Sequence, residues 1–188
     1  MPRPELFIFF GLIATGKSTV AAAFAEKRGL SYYNSDVVRK ELAGLSPQTR
    51  QRETADQGIY TGEFTAKTYA ALLERAEHDL GQGQGVVLDA SYQRKADRDQ
   101  VRMLAQRLGV RLYYVLCVCP EEEMKRRMAQ RALDPNAVSD GRWEIYLKQK
   151  KRFEPPTELA PDQLITLSTD LPVETVVEQL SAHLEAQP

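Results

Sequence analysis

The segment "GLIATGKST", from Gly11 to Thr19, constrains the fold of this chain more than any other feature of its sequence. It follows the apolar run "LFIFF" and precedes "VAAAFAEKRG", so we expect a strand to lead into it and a helix to lead out. Its residues complete the pattern G-x-x-x-x-G-K-S, in which backbone N–H groups surround a chain of phosphates. The segment therefore predicts a binding site for a nucleoside triphosphate.

Positions within this loop have separate tasks. Lys17 reaches the β- and γ-phosphate oxygens, and the hydroxyl of Ser18 binds Mg²⁺. The residues predicted to contact the nucleotide here are Gly11, Ala14, Thr15, Gly16, Lys17, Ser18 and Thr19. An incidental glycine turn is the weaker interpretation, because the flanking strand and helix are what a phosphate loop requires. The predicted cofactors are therefore ATP and Mg²⁺.

The rest of the chain alternates between short apolar runs and longer segments with helical spacing. Five such runs predict strands, at 6–10, 31–34, 86–89, 112–119 and 164–167. One helical face recurs every fourth residue at Phe64, Thr68, Leu72, Ala76 and Leu80, and further helices are predicted at 94–108, 120–133 and 173–184. The alternation predicts an α/β three-layer sandwich, in which a five-stranded parallel sheet carries helices on both faces.

Length and composition favour one soluble, cytoplasmic domain. A chain of 188 residues buries one substantial core, so we expect a single domain over residues 1–188. The net charge of −1 argues against a basic nucleic-acid surface over the whole chain. The apolar N-terminal run lacks a cleavage pattern and is too short to span a bilayer, so no membrane association is expected. Cys117 and Cys119 are interpreted as a buried apolar pair without redox or metal chemistry.

Charge is distributed unevenly towards the C-terminus. Residues 125–152 contain nine Lys or Arg against three Asp or Glu, whereas residues 153–188 contain seven acidic residues and no Lys or Arg. One interpretation is a pair of solvated faces whose charges cancel. The other is a positive cover over a polyphosphate, for which ATP alone is a sufficient ligand.

The second apolar run leads into "NSDVVRKEL", which places Asp36 just beyond a strand end. In a parallel sheet that position faces the ligand cleft, where a carboxylate can accept the proton of an attacking hydroxyl. Arg39 lies three residues further on and is predicted to hold the acceptor. The structural alternative is a helix cap, since Ser35 and Asp36 are both good capping residues.

The third apolar run ends in "VVLDASYQRKADR", which places Asp89 at the end of a strand. An acidic residue in this position holds Mg²⁺ directly or through water, and Asp89 is also predicted to lie on the acceptor side. Arg94 is predicted to contact the acceptor, whereas Arg98 is expected on a solvated helix face. Here too a helix cap is the structural alternative for Asp89.

A lid is predicted over residues 121–142, after the fourth strand. Arg127 and Arg131 are four residues apart, so they share one helical face and are predicted to contact the nucleotide phosphates. Arg127 is assigned a catalytic role, since a closing arginine neutralises charge on the transferring group. The alternative is an ion pair with the preceding glutamates, among them Glu123. Trp143, in the next helix, is expected to pack rather than to stack on a base.

These motifs together resemble one group of phosphate-loop kinases. The segments that carry the resemblance are "GLIATGKST", "NSDVVRKELAG", "VVLDASYQRKADR", "RRMAQR" and "KRFEPP". The group includes polynucleotide 5′-hydroxyl kinases, zeta toxins, chloramphenicol phosphotransferase and small kinases often fused to aminoglycoside-phosphotransferase-like domains. The last of these is the nearest resemblance and extends over nearly the whole chain.

The resemblance implies roles for individual residues. By likeness to the polynucleotide kinases, Asp36 would be the general base, Arg39 would engage the acceptor, and Arg127 would be the lid arginine. Gly16, Lys17 and Ser18 would hold ATP and Mg²⁺. This chain departs from the group in its loop, which reads "LIAT" where small residues are usual, so Ile13 is expected to alter the fit near the phosphates.

The sequence therefore predicts an ATP- and Mg²⁺-dependent phosphotransferase that acts on a hydroxyl, with Asp36, Lys17 and Arg127 as catalytic residues. A small-molecule acceptor is favoured over a nucleic-acid 5′ end, because no groove that alternates aromatic and basic residues is evident. A nucleotide-hydrolysing regulatory ATPase module is the alternative of another class. Asp36 with Arg39 argues against it, since hydrolysis by water does not require that pair.

Overall fold

The computed structural model describes residues 3–46, 58–133 and 143–186, without the side chains of 131–133. Its strands are β1 (Glu5–Phe10), β2 (Ser31–Asn34), β3 (Val86–Asp89), β4 (Arg111–Val118) and β5 (Leu164–Ser168). They form one parallel sheet in the order β2-β3-β1-β4-β5, which confirms the predicted sheet. The connection after β1 leads to β2 at one edge of the sheet, whereas the connection after its neighbour β4 leads to β5 at the other edge. A cleft therefore opens at the carboxyl ends of β1 and β4.

Helices connect these strands on both faces of the sheet. They are α1 (Lys17–Arg28), α2 (Ser35–Leu42), α3 (Gly62–Gly81), α4 (Lys95–Leu108), α5 (Glu121–Leu133), α6 (Trp143–Arg152) and α7 (Val173–Glu185), with a 3₁₀ turn at Gly58–Tyr60. The segment predicted as a lid, residues 121–142, begins with α5. Its remaining residues, 134–142, lie outside the described residues. No helix in the described ranges is long and apolar enough to cross a membrane.

The alternation of side chains along β1 divides the core into two layers. Leu6, Ile8 and Phe10 pack with α2, α3 and α4, whereas Phe7 and Phe9 pack with α1 and α7. All five side chains are fully buried, as a central strand covered on both faces requires. The predicted three-layer sandwich is therefore confirmed, and it fixes the phosphate loop at the end of a rigid strand.

A third, smaller cluster lies above the loop that follows β1. It joins Ile13 and Ala14 of the loop to Met124 and Met128 of α5 and Tyr146 of α6. Ile13 is only 9% exposed, and its side chain packs in this cluster. The branched residue in "LIAT" thus serves the packing of α5 and α6 on the loop, which the sequence did not indicate.

The prediction for Arg98 was wrong. Its side chain is fully buried rather than solvated, and its guanidinium donates to Glu158 Oε1 at 2.6 Å and to the backbone oxygen of Tyr92 at 2.9 Å. The partner Glu158 is 60 residues away in sequence, in the segment after α6, so helical periodicity alone could not reveal the pair. The ion pair ties that segment to α4.

Candidate active site

The loop after β1 has the backbone conformation of an anion cradle. Ala14 and Gly16 adopt left-handed φ angles of 62° and 82°. Residues that alternate in this way turn successive backbone N–H groups towards one point, where an anion binds. The first turn of α1 begins at Lys17, so the positive end of the helix dipole faces the same point, and Thr19 in that turn is exposed.

Close packing against β4 holds the start of the loop. Gly11 has a φ of 134°, and a Cβ atom there would lie 2.6 Å from the backbone oxygen of Cys117. Burial raises the pKa of the Cys117 thiol to about 12, so this residue is an inert part of the wall, as predicted. Cys119 lies just beyond the strand and is partly exposed, so the prediction of a buried pair was wrong for this residue. Both cysteines are free thiols.

The end of β5 supports the middle of the loop. The hydroxyl of Thr169 donates to the backbone oxygen of Thr15 and its backbone N–H donates to Val118 O at 3.0 Å. Within the loop, the Thr15 hydroxyl donates to Leu12 O at 2.9 Å, and Lys17 Nζ lies 3.4 Å from the same oxygen. Thr169 was not predicted as a site residue, because no local motif marks a contact made across the sheet.

Asp89 lies at the centre of a polar network between the loop and β2. Its Oδ2 accepts from the Tyr32 hydroxyl at 2.8 Å and from Asn34 Nδ2 at 2.5 Å. Asn34 Nδ2 also lies 3.3 Å from the Ser18 hydroxyl oxygen. Burial, together with the Asp89 carboxylate, raises the pKa of Tyr32, so this phenol stays protonated and remains a donor.

This network fits a magnesium ion. Asp89 is fully buried, and its Oδ1 has no hydrogen-bond partner among the described residues. A buried carboxylate oxygen requires a partner, and Mg²⁺ prefers such oxygen ligands. No group of three or more His, Cys, Asp or Glu in the described ranges suits a metal. Sparse protein ligation of this kind is typical of Mg²⁺ that binds phosphates and water as well.

Asn34, not Ser35 or Asp36, caps helix α2. Its side-chain oxygen accepts from the backbone N–H groups of Asp36 at 3.0 Å and Val37 at 3.1 Å. The capping interpretation of Asp36 was therefore wrong, and its carboxylate accepts no hydrogen bond from the residues that the structure describes. Asp89 does not cap a helix either, since α4 begins six residues later, at Lys95.

The environment of Asp36 suits a proton acceptor. Burial raises the pKa of the Asp36 carboxyl above its ordinary value, while the charges of Arg39 and Lys17 oppose that rise. The negative charge of Asp89 adds to the rise. These charge interactions indicate that Asp36 lies near Lys17 of the loop and near Asp89, the candidate metal ligand.

Arg39 is buried and mainly holds neighbouring backbone. Its Nη1 donates to Ile59 O at 2.7 Å and to the Thr65 hydroxyl at 3.1 Å, and its guanidinium lies 5.2 Å from the centre of the Tyr60 ring. Arg39 therefore joins α2 to the start of α3, and its buried Nε donor is left without a partner among the described residues.

Arg94 is held at the start of α4. Its Nε and Nη2 donate to the two oxygens of Asp97 at 2.9 and 2.7 Å. Beside it, the Ser91 hydroxyl lies 3.1 Å from the Tyr69 hydroxyl and accepts from Gln93 Nε2 at 3.1 Å. Tyr69, Ser91 and Gln93 were not predicted as site residues. The position of Ser91 and Gln93 just after β3 was a possible signal for these two, whereas the sequence offered none for Tyr69.

Arg127 lies against the phosphate loop. A Cβ atom on Gly16 would lie 2.7 Å from Arg127 Nη1, and Arg127 Nη2 donates to Thr169 O. Its Nε donates to Glu123 Oε1 at 2.8 Å, so the predicted ion pair and the predicted position beside the loop occur together. Hydrogen bonds from Arg126 and Arg127 lower the pKa of Glu123 to about 2. The side chain of Arg131 lies outside the described residues.

The pattern that defines the AAA domain family AAA_33 matches residues 6–156. The chain belongs to this family. The match includes the phosphate loop, Asp36, Asp89 and Arg127, so the AAA domain contains every element of the candidate site except Thr169.

Known proteins similar to this AAA domain include an uncharacterized protein of Mycobacterium tuberculosis. It is 30% identical over 132 residues, which make up 68% of this chain and 26% of that protein. The chain thus spans about a quarter of the length of this curated relative.

Solved structures place the AAA domain among kinases in fold. A sugar kinase from Janibacter sp. HTCC2649 superposes with a TM-score of 0.70 at 20% identity, over 100% of this chain and 97% of that one. The APS kinase CysC of Mycobacterium tuberculosis, solved with AMPPNP and APS, has a TM-score of 0.70 at 21% identity, over 99% and 100%. The fold of the chain is therefore that of the P-loop kinases.

Proposed function

We propose that the chain is an ATP- and Mg²⁺-dependent kinase that phosphorylates a hydroxyl group of a small molecule. The observation that carries this proposal is the position of Asp36. Its carboxylate is free of hydrogen bonds within the described residues, and its charge interacts with both Lys17 and Asp89. A free carboxylate beside a phosphate loop is what transfer to an alcohol requires, because the alcohol proton must leave as the phosphoryl group arrives.

On the donor side, the loop holds the triphosphate. The backbone N–H groups of Ala14 to Ser18 bind the β-phosphate, and Lys17 turns from Leu12 O to the phosphate oxygens. Arg127 stabilises charge on the transferring group from the side of α5. In this proposal α5 and the residues up to 142 form the lid of a single kinase domain, with Arg131 as a second phosphate contact.

Ser18 and Asp89 would hold Mg²⁺. Bound there, the ion neutralises charge on the β- and γ-phosphates. Tyr32 and Asn34 keep Asp89 Oδ2 occupied, so Oδ1 is the oxygen that would be left for the ion or for a water bound to it. The sheet register pairs Asn34 with Asp89 and thus aligns the metal side and the acceptor side of the cleft.

On the acceptor side, Asp36 accepts the proton of the hydroxyl. Arg39 and Arg94 contribute to the wall of this pocket, together with the hydroxyl and amide groups around Ser91. The resemblance to polynucleotide kinases supports the base role of Asp36. A small acceptor is favoured by the overall net charge of −1 and by the occurrence of a sugar kinase among the structural neighbours.

The test is a transfer assay with γ-labelled ATP in three parallel reactions. These contain a small-metabolite extract, a 5′-hydroxyl oligonucleotide, or no acceptor. We expect label in a small molecule, and we expect Asp36→Asn to bind ATP but to slow transfer by about 10²–10⁴-fold. Asp162→Asn is the matched control, since it removes the same charge from an exposed position and should leave transfer unchanged.

Each contrary result identifies a different error. Label only on the oligonucleotide would make the protein a polynucleotide 5′-hydroxyl kinase. Phosphate release without any labelled acceptor would favour the regulatory ATPase. Normal transfer by Asp36→Asn would show that another group accepts the proton.

A further inference from the structure

Helix α6 contacts the phosphate loop through the polar side chain of Gln149. The backbone N–H of Ile13 donates to Gln149 Oε1 at 2.8 Å, and these residues are 136 positions apart in sequence. Other backbone N–H groups of the loop are directed towards the anion site, whereas the N–H of Ile13 donates to a side chain. Gln149 therefore lies at the edge of the anion site.

Packing fixes α6 in this position. Tyr146 is buried between α6 and the loop, its ring stacks on Trp143 at 4.5 Å, and its hydroxyl donates to Glu121 Oε1 at 2.7 Å. Gln149 follows Tyr146 by three residues and so lies on the same helical face. The stacking also confirms the predicted packing role of Trp143.

The hydrogen bond fixes the orientation of the Gln149 amide. Ile13 offers an N–H donor, so the atom that faces it must be the amide oxygen rather than the nitrogen. Nε2 shares a carbon with that oxygen and thus also lies beside the loop. It has two N–H donors and no partner among the described residues, and the side chain is half-buried. An unpaired donor beside an anion cradle is suited to a phosphate oxygen.

We infer that Gln149 binds the terminal phosphate of ATP through Nε2 and so makes the site prefer ATP to ADP. The loop and the first turn of α1 surround the β-phosphate, which leaves the γ-phosphate open to side chains from α5 and α6. Arg127 approaches that region from α5, and Gln149 approaches it from α6. The inference rests on the nucleotide site of the proposed function and adds a residue that recognises the phosphate to be transferred.

The test measures the dissociation constants of Mg²⁺-ADP and Mg²⁺-AMPPNP by calorimetry for the full chain and two variants. Gln149→Met keeps the length of the side chain but neither accepts nor donates. Gln149→Glu still accepts from Ile13 but cannot donate, and it adds a negative charge. We expect both variants to bind AMPPNP about 5–10-fold more weakly or worse, and ADP within about twofold of wild type.

Gln106 offers matched controls, because it is exposed on α4 and far from the loop in the fold. Gln106→Met and Gln106→Glu should leave both dissociation constants unchanged. Equal weakening of ADP and AMPPNP by Gln149→Met would show that Gln149 only supports the loop and would overturn the inference. Unchanged AMPPNP binding by Gln149→Glu would overturn it as well. If the wild-type chain bound neither nucleotide, the proposed function itself would be wrong. Failure of the proposed function can thus be distinguished from failure of the inference about Gln149.

Discussion

Asn34 donates its side-chain amide to Asp89 Oδ2 at 2.5 Å, across a register pair that joins the ends of β2 and β3. The amide oxygen of the same side chain caps α2 through the N–H groups of Asp36 and Val37. One residue thus sets the position of the candidate base and that of the candidate metal carboxylate. The register of the sheet explains this double role, because it pairs the last residue of β2 with the last residue of β3.

Replacing Asn34 should therefore affect both stability and nucleotide binding. Asn34→Ala removes the cap, and we expect it to lower the free energy of unfolding by about 0.5–2 kcal/mol. It should also weaken Mg²⁺-dependent nucleotide binding, because Asp89 loses a donor. Thr61→Ala is the control, since Thr61 caps α3 by accepting from the Phe64 N–H at 3.3 Å. Urea unfolding and calorimetry measure the two effects, and equal nucleotide affinities in both variants would contradict the dual role.

The raised pKa of Asp36 predicts a gain in stability when this residue is made neutral. Burial makes the folded protein hold the Asp36 proton more tightly than the unfolded chain does. Below the ordinary aspartate pKa, the carboxyl is protonated in both the folded and the unfolded state and does not change the free energy of unfolding. As the pH rises from there through the raised pKa of the folded protein, the free energy of unfolding of the wild type decreases. Asp36→Asn cannot titrate, so its stability advantage should grow over that pH range while transfer stays slow.

Urea unfolding of both proteins, from a pH below the ordinary aspartate pKa up to neutral pH, measures this difference. Asp162→Asn, at an exposed position, should show no such trend. A stability difference for Asp36→Asn that stays constant with pH would mean that burial does not perturb the Asp36 carboxyl.

Two adjacent arginines on α5 allow a proposed catalytic contact to be compared with a surface ion pair. Arg126 and Arg127 both donate to Glu123, but Arg127 also contacts Thr169 O and lies beside Gly16. We expect Arg127→Met to lower kcat by about 10²–10³-fold through lost stabilisation of the transferring phosphoryl group. Arg126→Met should stay within about threefold of wild type, because Arg126 is exposed. Steady-state kinetics with the identified acceptor measure both, and equal effects would remove Arg127 from the mechanism.

The close approach of Gly11 to β4 predicts a large cost for a single methyl group. A Cβ atom at Gly11 would overlap the Cys117 backbone oxygen, whereas a Cβ atom at Gly109, which has a φ of 64°, would meet open space. Gly109→Ala should cost about 1–2 kcal/mol from backbone strain alone. Gly11→Ala should cost about 1–3 kcal/mol more. Urea unfolding compares the two, and equal costs would mean that the loop shifts freely away from β4.

The buried ion pair between Arg98 and Glu158 should matter far more than an exposed one. Glu158→Ala leaves the fully buried Arg98 without its carboxylate partner, and we expect a loss of about 3–5 kcal/mol. Glu77→Ala breaks the exposed pair with Arg107 and should change the free energy of unfolding far less, because solvent screens that pair. Denaturant unfolding of both variants measures the costs. A small effect of Glu158→Ala would indicate that water or another acceptor replaces the carboxylate.

Local sequence patterns were sufficient for the parts of this protein that depend on neighbouring residues. The apolar runs predicted all five strands and the parallel sheet, because each strand is a short apolar run that is followed by a helix. The loop motif predicted a turn of backbone N–H groups between a strand and a helix, and the left-handed φ angles of Ala14 and Gly16 are consistent with such a turn. The strand ends also placed Asp36 and Asp89 at one edge of the sheet.

Contacts between distant segments were decided only by the tertiary structure. The side chains of Gln149 and Thr169 contact loop residues that are 136 and 154 positions away in sequence, and Arg98 pairs with Glu158 beyond α6. Periodicity reports which face of an element is buried, but it does not report which other element covers that face. That choice depends on how the helices pack around the whole sheet, so the contacts of Gln149 and Thr169 with the loop could be identified only in the folded chain.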